Sequence, residues 1–285
     1  MRESPDGTTN KLQVVLPKIT VSEDLEEEFK MRDILEYFGE GLKAILLTTK
    51  KKRNGAGNAQ HALSAGLVLI YDSGQNFCGG SLITRRYVLT AAHCLFTRVE
   101  SLIVILGAHR IRETESTQQR IPTTNYKLHE QYNNNTLEND LAMVYLPTPA
   151  NLNRYVQLIA LPSRADVSNS FVGSEARASG WGFTSSSGND ISAVLRYINV
   201  PVISNDVCRR TFNQLVRAAT ICSSGEGRKG LCFGDSGGPL VVDGKLVGVA
   251  SFVGYNGCEG GEPSAFSRVT SFLNWIDANS DAVIS

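Results

Sequence analysis

From Gly66 onward the chain is written in short apolar runs rich in Val, Ile, Leu and Tyr, and that pattern limits the fold more than any other feature. The runs are Gly66–Tyr71, Ser81–Thr90, Leu102–Gly107, Leu141–Leu146, Tyr197–Ile203 and Pro239–Phe252. Turn-forming groups separate them, at Asp72-Ser73-Gly74, Gly188-Asn189-Asp190, Asp243-Gly244 and Asn256-Gly257. Val241 to Val247 reads as a tight hairpin, because Asp243-Gly244 tolerates the positive φ of a primed turn. Many short strands with few helical periods predict antiparallel barrels or sandwiches. At the C-terminus, Thr270 or Ser271 can cap a short helix that presents Phe272, Trp275 and Ile276 at helical spacing.

Composition divides the chain in two. Of residues 1–53, 20 are charged, ten of each sign; of the remaining 232, only 36 are. All six cysteines lie beyond position 77. These shifts predict a boundary at Lys50-Lys51-Lys52-Arg53, with a charged segment at 1–53 and a globular domain at 54–285. In the first segment Leu12–Ile19 reads as a strand. Ser22, followed by Glu23 and Asp24, reads as the cap of a helix whose face holds Leu25, Phe29 and Phe38. Leu16-Pro17-Lys18 is faintly similar to a serpin segment; a pro-segment or a misjoined gene product is the plainer reading of 1–53. Basic and acidic residues balance at 28 each, which argues against a polybasic nucleic-acid binder. No apolar stretch approaches the about 18 residues of a membrane span; Lys43–Leu47 is far too short.

Three short motifs carry chemistry. Gly234-Asp235-Ser236-Gly237-Gly238-Pro239 suits a serine nucleophile, which needs a tight turn and backbone N–H groups converging on a developing oxyanion. Thr90-Ala91-Ala92-His93-Cys94 places a histidine at the end of an apolar strand, beside a cysteine that could pin it. His61, His109 and His129 lack such a setting and read as structural. Asn139-Asp140-Leu141-Ala142 sets an acid at the head of an apolar run, where a buried carboxylate needs partners such as an imidazole N–H.

In the order His, Asp, Ser, the motifs resemble the chymotrypsin-like serine proteases, and the likeness extends over residues 54–285. It includes Cys78-Gly79-Gly80-Ser81-Leu82, Gly180-Trp181-Gly182 and the helix at Trp275; Gly66 to Cys94 is most similar to arthropod enzymes of the chymotrypsin and elastase type. The resemblance implies an all-β fold of two packed six-stranded antiparallel barrels with a short C-terminal helix. It implies His93 as general base and then acid, Asp140 as its orienting carboxylate, and Ser236 as the nucleophile that forms an acyl-enzyme. The N–H groups of Gly234 and Ser236 would make the oxyanion hole. Six cysteines leave many pairings open by sequence alone; the resemblance implies Cys78–Cys94, Cys208–Cys222 and Cys232–Cys258.

By the same resemblance Gly230 lies at the base of the pocket for the residue before the cleaved bond (P1), with Val253 and Ser264 on its walls. Trypsin-like members carry an aspartate at the base, so a basic substrate would bury an uncompensated charge against Gly230. Val253 narrows the slot, which implies preference for small or medium aliphatic residues, with Phe and Tyr second. Family members need a free Ile or Val after proteolysis, whose ammonium pairs with the residue here numbered Asp235. Here Lys52-Arg53 stands where that apolar start is expected, ahead of Asn54-Gly55, and Ala59–Ser64 lacks the usual proline pattern. A catalytically silent homologue acting as a binding module is the alternative.

The implied partners are a protein or peptide substrate, an activating protease and protease inhibitors, with no nucleic acid or membrane, and the implied state is a monomer. No cofactor is expected, and no metal, since there is no paired Cys-x-x-Cys or clustered His; Ala108 also replaces the first acid of the family's calcium loop. Disulfides at this density imply an oxidising compartment, hence secretion, although Met1–Asn10 is polar and does not read as a signal peptide. Asn134-Asn135-Thr136 is a glycosylation sequon, in keeping with that route.

Overall fold

The computed structural model describes residues 64–71, 74–97, 99–188, 190–256 and 258–285. The charged segment 1–53, with its expected strand and helix, the boundary at Arg53 and His61 lie outside the described residues. What is described is mostly β, in two barrel-like sheets followed by a short helix.

The first sheet holds β1 (Ser64–Tyr71), β2 (Gly74–Leu82), β3 (Tyr87–Thr90), β4 (Ser101–Leu106), β5 (Gln119–Thr123), β6 (Tyr126–Leu128) and β7 (Ala142–Tyr145). They lie in the order β5-β4-β1-β2-β3-β7-β6, all neighbours antiparallel. Its two edge strands, β5 and β6, are separated along the chain only by Thr124 and Asn125. That kink is fastened to β7: Thr123 Oγ1 donates to the Tyr145 carbonyl at 2.9 Å, and Tyr145 N donates to the Asn125 carbonyl at 3.0 Å. One bent strand thus borders both edges and curls the sheet round on itself, so the expected six strands appear as seven.

The second sheet is closed, in the order β10-β13-β12-β11-β8-β9. Its strands are β8 (Glu175–Gly180), β9 (Arg196–Ile203), β10 (Thr220–Ser223), β11 (Pro239–Val242), β12 (Lys245–Val253) and β13 (Ser264–Arg268). The β11–β12 hairpin turns at Asp243 and Gly244, with φ of 48° and 76°, as the Asp-Gly pair predicts. Each barrel is filled by inward-facing apolar side chains, each contributing about 1.5–3 kcal/mol of burial. Leu67, Leu89, Leu102, Val104 and Val144 fill the first; Ile221, Leu240, Val247 and Phe266 fill the second.

Two local readings are corrected. Ser81–Thr90 is not one strand but the hairpin of β2 and β3, closed by Ile83 N donating to Tyr87 O at 3.0 Å and Arg86 N donating to Thr84 Oγ1 at 3.1 Å. The apolar run continues through the turn because Ile83 is itself buried. The C-terminal helix α2 (Leu273–Asn279) starts after a 3-10 turn over Val269–Phe272, so Thr270 is buried in that turn rather than capping a helix. A further helix, α1 (Asn205–Phe212), is capped by Ser204, whose side chain accepts from Val207 N.

Candidate active site

β3 ends at Thr90, and the fully buried Ala91 and Ala92 fix the 3-10 turn Ala92–Cys94 against the first core. A disulfide from Cys94 to Cys78 on β2 ties the turn down. His93, between these anchors, keeps 24% of its side chain exposed, while Asp140 at the head of β7 is fully buried. Asp140 grips this residue twice: Oδ2 lies 2.8 Å from His93 Nδ1, and Oδ1 accepts His93 N–H at 2.8 Å. The second barrel completes the carboxylate's shell. Ser251 on β12 donates its hydroxyl to Asp140 Oδ2 at 2.5 Å, and Ser267 on β13 donates to the Asp140 carbonyl at 2.7 Å. Burial disfavours a charged imidazolium at His93, but Asp140's charge and hydrogen bond outweigh it, so the ring titrates above its ordinary value.

Ser236 lies in the turn that enters β11, clamped between the barrels. Its carbonyl accepts from Gly79 N at 2.7 Å, and Gly237 N donates to Ala250 O at 2.8 Å, beside Ser251. Gly237 has φ +77°, and a Cβ there would collide with Thr90 Oγ1 and the Gly79 carbonyl, three residues before His93. The backbone thereby brings Ser236 and His93 to the same cleft. Among the described residues no hydrogen bond joins the two side chains; in such sites this bond tightens when substrate binds. Asp235, Gly237 and Gly238 all commit their N–H groups to carbonyls, whereas those of Gly234 and Ser236 meet no acceptor among the described residues. Donors left unpaired on one turn can serve an oxyanion.

The three positions expected to shape the pocket lie together. A Cβ on Gly230 would stand 3.3 Å from both the Cys258 carbonyl and Ser264 Oγ. Ser264 Oγ accepts from Leu231 N at 3.1 Å, and Val253 faces Ser264 across the β12–β13 ladder. The Cys232–Cys258 disulfide closes this region; the third bridge, Cys208–Cys222, ties α1 to β10. Beside the Ser236 turn, Phe233 is 63% exposed and meets Phe183 edge to face.

Asp235 points the other way, into the second barrel's side of the cleft. Its carboxylate accepts from Gly182 N at 2.8 Å and Cys232 N at 2.9 Å, and no lysine, arginine or histidine among the described residues pairs with it. Burial pushes its pKa up to about 6 against those two hydrogen bonds. Gly180 and Gly182 flank the carboxylate so closely that a Cβ on either would overlap it.

Ser251, Ser267 and Tyr132 are site residues that sequence reading does not assign. Tyr132 is half-buried, and burial together with Asp140's charge raises its pKa. Ser251 carries no local signal except its place before Phe252-Val253; its role depends on a partner 111 residues away. His129 stacks on Trp275, and the His109 carbonyl accepts from Trp181 Nε1.

A family model described as Trypsin matches residues 53–276. Brachyurin from Leptuca pugilator is 46% identical over 200 residues, covering 70% of this chain and 86% of that protein. Chymotrypsin from Phaedon cochleariae is 38% identical over 230 residues, covering 80% and 82%. Trypsin from Sus scrofa is 38% identical, covering 72% and 86%. Among solved structures, one described as HL collagenase superposes with a TM-score of 0.72 at 36% identity, covering 79% of this chain and 95% of that one.

Proposed function

Because this chain belongs to the trypsin family of serine endopeptidases, a class of hydrolases, we propose that it cleaves peptide bonds with Ser236 as nucleophile, His93 as general base and acid, and Asp140 as the group that orients the imidazole. The observation that carries this reading is the double hold of the buried Asp140 carboxylate on His93. With Nδ1–H committed to Asp140, the lone pair of Nε2 is left to take the Ser236 hydroxyl proton as Oγ attacks the scissile carbonyl. The negative oxygen of the tetrahedral intermediate then draws on the N–H groups of Gly234 and Ser236, each such donor contributing about 2.7–4 kcal/mol in the transition state. His93 returns the proton to the leaving amine, and a water repeats the sequence on the acyl-enzyme.

A fluorophosphonate probe tests the nucleophile without assuming a substrate. Labelling of Ser236 is expected after limited trypsin treatment and is expected to vanish in His93→Ala. No labelling before or after treatment sinks the catalytic reading and leaves a binding module.

We assign P1 preference to small and medium aliphatic side chains. Val253 narrows the slot opposite Ser264, and Gly230 offers no counter-ion to a basic residue. Val253→Gly is expected to shift the ratio of kcat/KM values for aromatic over aliphatic P1 residues upward by about 10-fold or more. A peptide library read on both forms checks it; an unchanged ratio removes Val253 from the pocket wall. Three disulfides support passage through an oxidising, secretory compartment.

A further inference from the structure

We infer that Asn134 is the acceptor of an N-linked oligosaccharide, rooted on the rim of the cleft beside the His93 turn. The inference rests on the secretory reading above, because the sugar donor is met only on that route.

Asn134-Asn135-Thr136 has the acceptor spacing, and its setting is that of a displayed tip rather than a buried coincidence. Asn133, Asn134 and Asn135 are all exposed. Asn133 N donates to Glu138 O at 3.0 Å, pinching the base of the loop. Asn133 Oδ1 accepts from the N–H groups of Asn135 and Thr136 at 2.9 and 3.2 Å, which fixes the turn at the tip. Asn134 Oδ1 accepts from Tyr132 OH at 3.1 Å, while its Nδ2, the atom that would carry the sugar, meets no acceptor among the described residues. An oligosaccharide on Nδ2 therefore displaces no hydrogen bond of the fold.

In the transfer, a bond forms between Nδ2 and C1 of the first sugar, and the C1–O bond to a polyprenyl diphosphate carrier breaks. The diphosphate leaves with that electron pair, and Nδ2 gives up one proton. The linkage lies close to the chemistry: the Tyr132 ring packs edge to face with Phe96 at 5.4 Å, and Phe96 is three residues beyond His93. The sugar thus stands over one wall of the cleft.

The full chain is expressed in a eukaryotic host behind a cleavable host leader, and intact mass is read before and after peptide-N-glycosidase. A glycan-sized excess mass is expected, removed by the enzyme with conversion of Asn134 to Asp in the peptide spanning residues 121–138. The excess is expected to disappear in both Asn134→Gln and Thr136→Ala, the second of which keeps the acceptor amide. A disulfide-bonded product recovered from the medium with Asn134 unmodified overturns the inference, as does a glycan that survives Asn134→Gln. The secretory reading is tested separately, by whether the chain without an added leader is released; its failure leaves the first arm's answer intact.

Discussion

Replacing Asp140 with asparagine is expected to lower kcat/KM about 10⁴-fold, the scale for amidation of a triad aspartate, with little change in KM. That loss corresponds to about 5.5 kcal/mol of transition-state stabilisation. The Asp140 carboxylate accepts three donors: His93 N–H at Oδ1, and His93 Nδ1–H and the Ser251 hydroxyl at Oδ2. An amide can keep an oxygen toward only one side. If its oxygen stays on the backbone N–H of His93, its NH₂ faces Nδ1, which must then accept. The ring proton moves to Nε2, and Nε2 can no longer take a proton from Ser236. The side chain keeps its shape, so the loss falls on kcat and not on the fold.

The pH profile distinguishes this from simple misfolding. In the wild type His93 must be neutral to act as base, and its raised pKa places the acid limb of kcat/KM above the ordinary histidine value. Asp140→Asn removes the charge that raises it while burial, which lowers it, remains. The residual activity is therefore expected to have its acid limb at lower pH. A variant within tenfold of the wild type, or one with an unmoved limb, removes Asp140 from its assigned place.

The motifs around His93, Asp140 and Ser236 are legible in sequence because each is local: a strand end, the head of an apolar run, and a glycine-flanked turn. The β11–β12 hairpin is legible for the same reason, since Asp243-Gly244 encodes its own turn. What the residues alone do not reveal is long-range. Ser251 and Ser267 reach Asp140 from strands 111 and 127 residues away, and an isolated serine in a strand has no distinguishing signal. Strand β8, Glu-Ala-Arg-Ala-Ser-Gly, has no β-branched or aromatic residue; barrel closure, not propensity, makes it a strand. The kink between β5 and β6 is likewise set by hydrogen bonds to Tyr145 that form only once β7 is in place.

Asp235 is expected to make the uncleaved protein less stable as pH rises from about 4 to about 7, by about 2 kcal/mol. The sign follows from its pKa, pushed up by burial from 3.8 to about 6. Between those values the folded chain holds a proton that the unfolded chain has released. The contribution is thus fully favourable below the unfolded value and is lost as pH rises through the folded one. Above pH 6 the fold carries a carboxylate whose described partners are only the N–H groups of Gly182 and Cys232. An ammonium delivered by cleavage, as the resemblance implies for activation, would reverse this by drawing the carboxyl back below its ordinary value. Urea midpoints read at pH 4.5 and 7.5, for the wild type and Asp235→Asn, isolate the effect. The amide carries a fixed cost, because its NH₂ confronts one N–H donor, but it has no proton to lose. The wild type should therefore lose about 2 kcal/mol more than the variant across that range, and trypsin-treated protein should reverse the difference. Parallel pH curves for the two uncleaved proteins would mean that Asp235 already has a cation, and that activation must act elsewhere than on this carboxylate.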